Sequence, residues 1–224
     1  PIASARSSHT VIREASARTF LNLAVAFEQS QILGWRDDTL RILLACLGKK
    51  NSETTKIYAI GALVTISTCE ETKVRLVQYQ NGELVGMMLF LINHARNINL
   101  RKDAIGVLAN LTNAETSCLF CQYPEFMSML ATQAADDGSE ETQRVALKVL
   151  SRLAIFVDAT ASCHVHLLTA LVGALAGNNA VLPVVAALKH QSSKPPNRTA
   201  LATFPRLLDA LGDASRALVG EGRT

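Results

Sequence analysis

The 224-residue sequence predicts an all-α protein built from a tandem helical repeat, and three observations carry that reading. Apolar residues recur at helical spacing along most of the chain, and no segment sustains the period-two alternation of a half-buried strand. One side-chain pattern, a small residue followed four positions later by a large apolar one and then by a polar and an apolar one, returns at nearly constant intervals. Turn residues and N-caps fall between the returns.

The pattern is clearest in "LRKDAIGVLANLTNA", residues 100 to 114. At about 100° per residue, Ala104, Val107, Leu108 and Leu111 share one stripe, so this segment predicts a helix with a single buried face. In chain order, the same spacing occurs in "SARTFLNLA" (16 to 24), "AIGALVTIS" (59 to 67), "ALKVLSRLA" (146 to 154) and, more weakly, "ALATFPRLL" (200 to 208). The anchors Phe20, Leu63, Leu108 and Leu150 lie 43, 45 and 42 residues apart, and Phe204 follows only after 54. A second landmark keeps the same period. Helices expected near Leu40, Leu84 and Phe126 each follow a breaker: Gly34, Gly82 and Pro124.

Three helices fit in each period. Residues 70 to 113 give a short one in "EETKVRLVQYQ", a second in "ELVGMMLFLINHA" and the long third one, with "NG" (81 to 82) turning the first into the second. The stretches "NSETT" (51 to 55), "NIN" (97 to 99) and "DDGSEET" (136 to 142) lead into third helices, with Ser52 and Ser139 as N-caps and acidic residues favoured by the helix dipole. After Leu150 the period stretches. We read "LPVVAALKHQ" (182 to 191) as a compressed third helix anchored at Leu188, with "SSKPPN" (192 to 197) as a loop into a terminal capping helix pair. A delayed third helix at 198 to 211, anchored at Phe204, is the alternative.

Composition narrows the function classes. Apolar residues make up 49% of the chain, enough for a sizeable core, and the net charge of +3 is too small to point to nucleic acid. Aromatic residues at 5% leave little for base stacking, so nucleic-acid binding is disfavoured. Cys46, Cys69, Cys118, Cys121 and Cys163 are odd in number and dispersed, which suits reduced thiols and an intracellular location, cytoplasmic or nuclear. The longest apolar runs fall short of the roughly 20 residues of a membrane span. The chain begins at Pro1 without Met, and we read it as a piece of a longer protein.

In their third-helix pattern, "AIGVLANLTNA", "AIGALVTIST" and "SARTFLNLAVA" resemble the armadillo repeat family, and the period lies in that family's range of about 40 to 47 residues. The resemblance covers residues 10 to 160 well and 160 to 224 poorly. It implies a single domain over 1 to 224, a right-handed α-solenoid of about four to five three-helix repeats closed by an atypical C-terminal cap. It further implies that third helices line a concave groove in which an asparagine holds an extended peptide by its backbone. One amide offers a donor and an acceptor together, which suits that task. At the matching position this sequence has Asn22, Thr65, Asn110 and Arg152, then Arg206 or His190. One turn earlier, where nuclear import adaptors of the family carry tryptophans, stand Arg18, Gly61, Gly106, Lys148 and Ala202. Basic import signals are therefore disfavoured, while Arg18, Lys148 and Arg152 favour an acidic or phosphorylated peptide.

The expectation is a protein-binding scaffold, not an enzyme, with Asn22, Asn110, Thr65, Arg152, Arg18 and Lys148 in contact with the partner. A regulatory or targeting domain of a larger enzyme, or a packed subunit of an assembly, are the alternatives. "CLFC" (118 to 121) and "CHVH" (163 to 166) raise zinc, but Cys118 and Cys121 share a helix face, whereas zinc sites draw convergent ligands from turns. No metal or cofactor is expected. No nucleophile elbow, phosphate-cradling glycine loop or metalloprotease motif is present, so no catalytic residue is assigned. The acidic run Asp136, Asp137, Glu140 and Glu141 reads as a solvated helix start. His9, His94 and His190 have no assigned partners.

Overall fold

A computed structural model of the chain describes residues 10 to 120, 123 to 135, 140 to 161, 163 to 175 and 181 to 221. Among them are fourteen α-helices and no strand. Contacts group the chain into two compact units, Pro1–Leu111 and Thr112–Thr224.

The first unit contains α1 (Thr10–Ala24), α2 (Phe27–Trp35), α3 (Asp37–Cys46), α4 (Glu53–Ile66), α5 (Lys73–Gln78), α6 (Glu83–His94) and α7 (Ile98–Leu111). The helices that carry the repeated pattern, α1, α4 and α7, stack in sequence, α1 on α4 and α4 on α7. Their anchors Phe20, Leu63 and Leu108 are all buried, as are Leu40 of α3 and Leu84 of α6. Each such side chain contributes about 1.5–3 kcal/mol by leaving water. Ser52 caps α4 as its sequence suggests, its hydroxyl accepting from the Thr55 N–H at 3.1 Å.

Two turns set the path of the chain. Between α5 and α6 the backbone runs left-handed through Gln80, Asn81 and Gly82, with φ of 44°, 57° and 90°. Asparagine and glycine tolerate that region best, which is why "NG" sits there. At the α2–α3 junction Arg75 of α5 acts as a clamp. Its side chain donates to the carbonyls of Gly34 (3.3 Å) and Trp35 (2.9 Å), pairs with Asp37 and lies 5.5 Å from the Trp35 ring centre. Gly34 is not the breaker its sequence suggested. It lies inside α2, where an added Cβ would come within 3.0 Å of Thr72 Cγ2, and the chain breaks instead at the extended Arg36.

The second unit contains α8 (Ala114–Phe120), α9 (Pro124–Ala135), α10 (Glu140–Phe156), α11 (His164–Leu175), α12 (Val181–Ser193), α13 (Pro195–Ala202) and α14 (Leu207–Glu221). Asn113 starts α8 by a reciprocal cap: its Oδ1 accepts from the N–H groups of Glu115 (3.0 Å) and Thr116 (2.9 Å), and its own N–H donates to Thr116 Oγ1 at 2.9 Å. Here α9 packs on α11 and α10 on α12. Leu150 and Leu188 are buried in α10 and α12, and residues 182 to 191 lie within one helix that packs on α10. The delayed alternative fails because Thr203–Arg206 breaks it, with Phe204 outside any helix and Arg206 at φ 62°.

The loop expected at 192 to 197 shrinks to Lys194. Ser192 and Ser193 finish α12, and Pro195 and Pro196 open α13, where a missing N–H and a fixed φ suit the first helical turn. The terminal helix pair is α13 and α14, packed on α12 and α11 respectively. Ser139 and the acidic residues Asp136 and Asp137 lie outside the described residues.

Candidate functional site

In the first unit the ladder positions sit on three stacked helices, and each side chain has a different occupation. On α1, Arg18 and Asn22 are both exposed, and the Arg18 guanidinium lies 6.0 Å from the ring centre of Tyr58 on α4. The two helices approach closely below this pair, since a Cβ on Gly61 would stand 3.2 Å from Leu21 Cδ1. Thr65 is half-buried, and its hydroxyl donates to the Gly61 carbonyl one turn back in its own helix at 3.1 Å.

Asn110 is half-buried and its amide is partly committed. Nδ2 donates to the Val64 carbonyl at 3.1 Å and to Ser67 Oγ at 3.3 Å, closing the C-terminal end of α4 from the neighbouring α7. The last carbonyls of a helix have no partner of their own, so the bond has a clear structural use. Oδ1 has no partner among the described residues and remains an acceptor for an incoming N–H. A peptide that also sought the Asn110 donor would have to displace the α4 cap. Gly106, one turn earlier on α7, is open, because an added Cβ there would meet nothing within 4 Å.

In the second unit Lys148 and Arg152 lie one turn apart on α10. Lys148 is exposed, whereas Arg152 is half-buried and already partnered. Lys148 lines a cavity of about 950 Å³ whose wall is one face of α10, with Arg144, Ser151 and Glu140, and Pro183 of α12. The volume falls within the usual range of ligand sites, about 300–1,000 Å³. Gln143 anchors this wall, donating from a buried amide to the Ala134 carbonyl at 2.8 Å. Arg144, Ser151 and Pro183 were missed in the sequence. The signal existed for the first two, since 144, 148 and 151 are spaced to share one helix face. Pro183 had none, because only the packing of α12 on α10 brings it there.

The cysteine and histidine motifs separate. His164 is buried, with its Nε2 on the Gln191 amide oxygen at 3.0 Å, while His166 is exposed. Cys118 is free and exposed, and Cys121 lies outside the described residues. Among the described residues no three His, Cys, Asp or Glu side chains gather as metal ligands would. Cys46 and Cys69 are buried free thiols, both pushed above their usual pKa chiefly by burial. Cys163 departs from the expectation of reduced thiols throughout, being disulfide-bonded. No helix of the described residues is long and apolar enough to cross a membrane.

No protein-family model and no curated protein matches the chain. Solved structures do. An engineered protein superposes with a TM-score of 0.59 at 16% identity, covering 98% of this chain and 95% of that one. A designed armadillo repeat protein gives 0.58 at 20% identity, over 97% and 96%. A structure of computationally designed armadillo repeat proteins for modular peptide recognition gives 0.59 at 19% identity, again over 97% and 96%. The chain has an armadillo-like repeat fold.

Proposed function

We propose that this chain is a protein-binding scaffold with no reaction of its own, and that its partner is an extended polypeptide lying on the third-helix faces. The observation that carries the reading is the cavity of about 950 Å³ along α10 and α12, where the cationic Arg144 and Lys148 stand beside Pro183. The exposed Leu182 and Val185 flank that proline in sequence and add apolar surface. A ligand with acidic or phosphorylated residues beside apolar ones matches this wall. Support also comes from the fold, since one similar structure is of proteins designed for modular peptide recognition.

In this reading Lys148 and Arg152 contact the partner in the second unit, and Arg18, Asn22, Thr65 and Asn110 do so in the first. Asn22 is exposed, and Asn110 contributes its acceptor. Residues 1 to 224 act as one repeat domain, a proposal supported by the nearly constant period from Phe20 to Leu150. An intracellular location, cytoplasmic or nuclear, is supported by the free thiols at Cys46 and Cys69, while the Cys163 disulfide speaks against it.

The test is selection from a random peptide library, followed by titration of the selected peptides against an Arg144→Glu, Lys148→Glu variant. Peptides enriched in acidic residues are expected, and reversing two charges should cost about 1 kcal/mol per lost contact and flatten the salt dependence. Peptides without acidic enrichment whose affinity is unchanged in the variant would rule out this binding face.

A further inference from the structure

The first unit holds a second cavity, of about 560 Å³, away from the third-helix ladder. It opens where the turn after α3 and the start of α4 meet the end of α6 and the turn beyond it, and Leu47, Leu91 and Leu100 give it a buried apolar floor. Its rim is cationic. Lys49, Lys56 and Arg96 line it with one carboxylate, Glu53, which Lys56 already pairs with at 3.1 Å. Lys49 and Arg96 are exposed and have no carboxylate partner among the described residues.

An aromatic platform lines the same cavity. The rings of Phe90 and His94 stack at 4.6 Å with 17° between their planes, and Lys49 Nζ lies 5.1 Å from the Phe90 ring centre. His94 is held by its own helix, with Nδ1–H donating to the Phe90 carbonyl at 3.0 Å. That bond and the stacking on Phe90 together hold the imidazole plane. The His94 ring is exposed, and the Phe90 ring stacks on one of its two faces.

Two cations without a carboxylate partner among the described residues, beside an exposed ring and over an apolar floor of small-molecule size, recognise two things at once. The ring face takes a flat heterocycle, and the ammonium and guanidinium take an anion with several acceptor oxygens. We propose that this cleft binds a mononucleotide, the base stacking on His94 and the phosphate held by Lys49 and Arg96. An acidic side chain of a peptide would use the cations and leave the platform empty.

The experiment is calorimetric titration of the full chain with AMP, adenosine, inorganic phosphate and O-phosphotyrosine. AMP should bind saturably and about tenfold more tightly than adenosine or phosphate, since each of those offers only one of the two contacts. A Lys49→Ala, Arg96→Ala variant should weaken AMP by about tenfold or more. His94→Ala should weaken AMP and leave the weaker phosphate binding unchanged. All three side chains are exposed or at the rim, and an unchanged thermal midpoint shows that the variants fold. Absence of saturable AMP binding, unchanged AMP affinity in the double variant, or phosphate binding as tightly as AMP would each overturn the proposal. Tighter binding of O-phosphotyrosine than of AMP would overturn the nucleotide assignment.

Discussion

Gln191 lies wholly buried in α12, and its amide joins four groups from three parts of the second unit. Nε2 donates to the carbonyls of Ala154 and Val157, while Oε1 accepts from His164 Nε2 and Asn197 Nδ2. Replacement by leucine keeps the volume and strands several of these groups without water. Gln191→Leu should therefore destabilise the unit by about 3 kcal/mol, read as a lower urea midpoint at unchanged slope. Asp158 nearby supplies a pH dependence. Its carboxyl is held below the usual 3.8, first by the Thr160 hydroxyl, then by the Thr160 N–H, with help from the Lys194 charge. A lowered folded pKa means that this stabilisation is complete above the ordinary value and disappears as pH falls through the lowered one. Asp158→Asn should reduce the loss of melting temperature between pH 4 and pH 2. Glu71, shifted the same way through the Cys69 thiol, keeps part of the slope. At this scale the sequence was only half legible. Helical phase placed Asn110 at the edge of a buried stripe, but its partner carbonyl belongs to Val64, 46 residues away, and no wheel shows a neighbouring helix.

Helices were more legible than side chains, because burial repeats and bonding partners do not. The spacing of small and large apolar residues located α1, α4, α7 and α10, whereas its weaker fifth match at 200 to 208 spans the break between α13 and α14. Glycine and proline misled where their local meaning depends on contact. Gly34 looked like a breaker and proves to be a close-packing site, whereas Pro195 and Pro196 looked like loop and prove to start α13. The distinction gives opposite expectations for one substitution. Gly86, Gly106 and Gly173 are helical, and an added Cβ at each meets nothing within 4 Å. Alanine at any of the three should stabilise by about 0.5–1 kcal/mol, through helix propensity alone. Alanine at Gly34 forces its Cβ to within 3.0 Å of Thr72 Cγ2 and 3.2 Å of Ile66 Cγ2. Its propensity gain should be outweighed, giving net loss of about 1–3 kcal/mol as in other overpacked sites. Melting temperatures of the four single variants decide both halves, and a stabilised Gly34→Ala would mean that α2 shifts freely.

For the molecule as a whole, the terminal helix pair closes the second unit. A repeat packs only on its neighbours, so the last one exposes an apolar face unless something atypical covers it. Here α13 and α14 cover α12 and α11, placing Leu201 and Leu207 in the core, and Asn197 of α13 ties into the Gln191 amide while donating nothing to solvent. Asn197 also accepts from the Ala159 N–H at 2.6 Å. A chain ending at Lys194 should lose about 1.5–3 kcal/mol for each buried leucine, together with the Asn197 bonds, and should bind hydrophobic dyes. The chain contains one tryptophan, Trp35, which lies in the first unit beneath the Arg75 guanidinium. Its fluorescence therefore follows the first unit, while circular dichroism follows both. Because the first unit buries its own core around Phe20, Leu63 and Leu108, shortening the chain should lower the dichroism midpoint in urea and split that transition. The Trp35 midpoint should stay where it was. An equal fall in both signals would show that the terminal pair stabilises the entire array and not only the unit it covers.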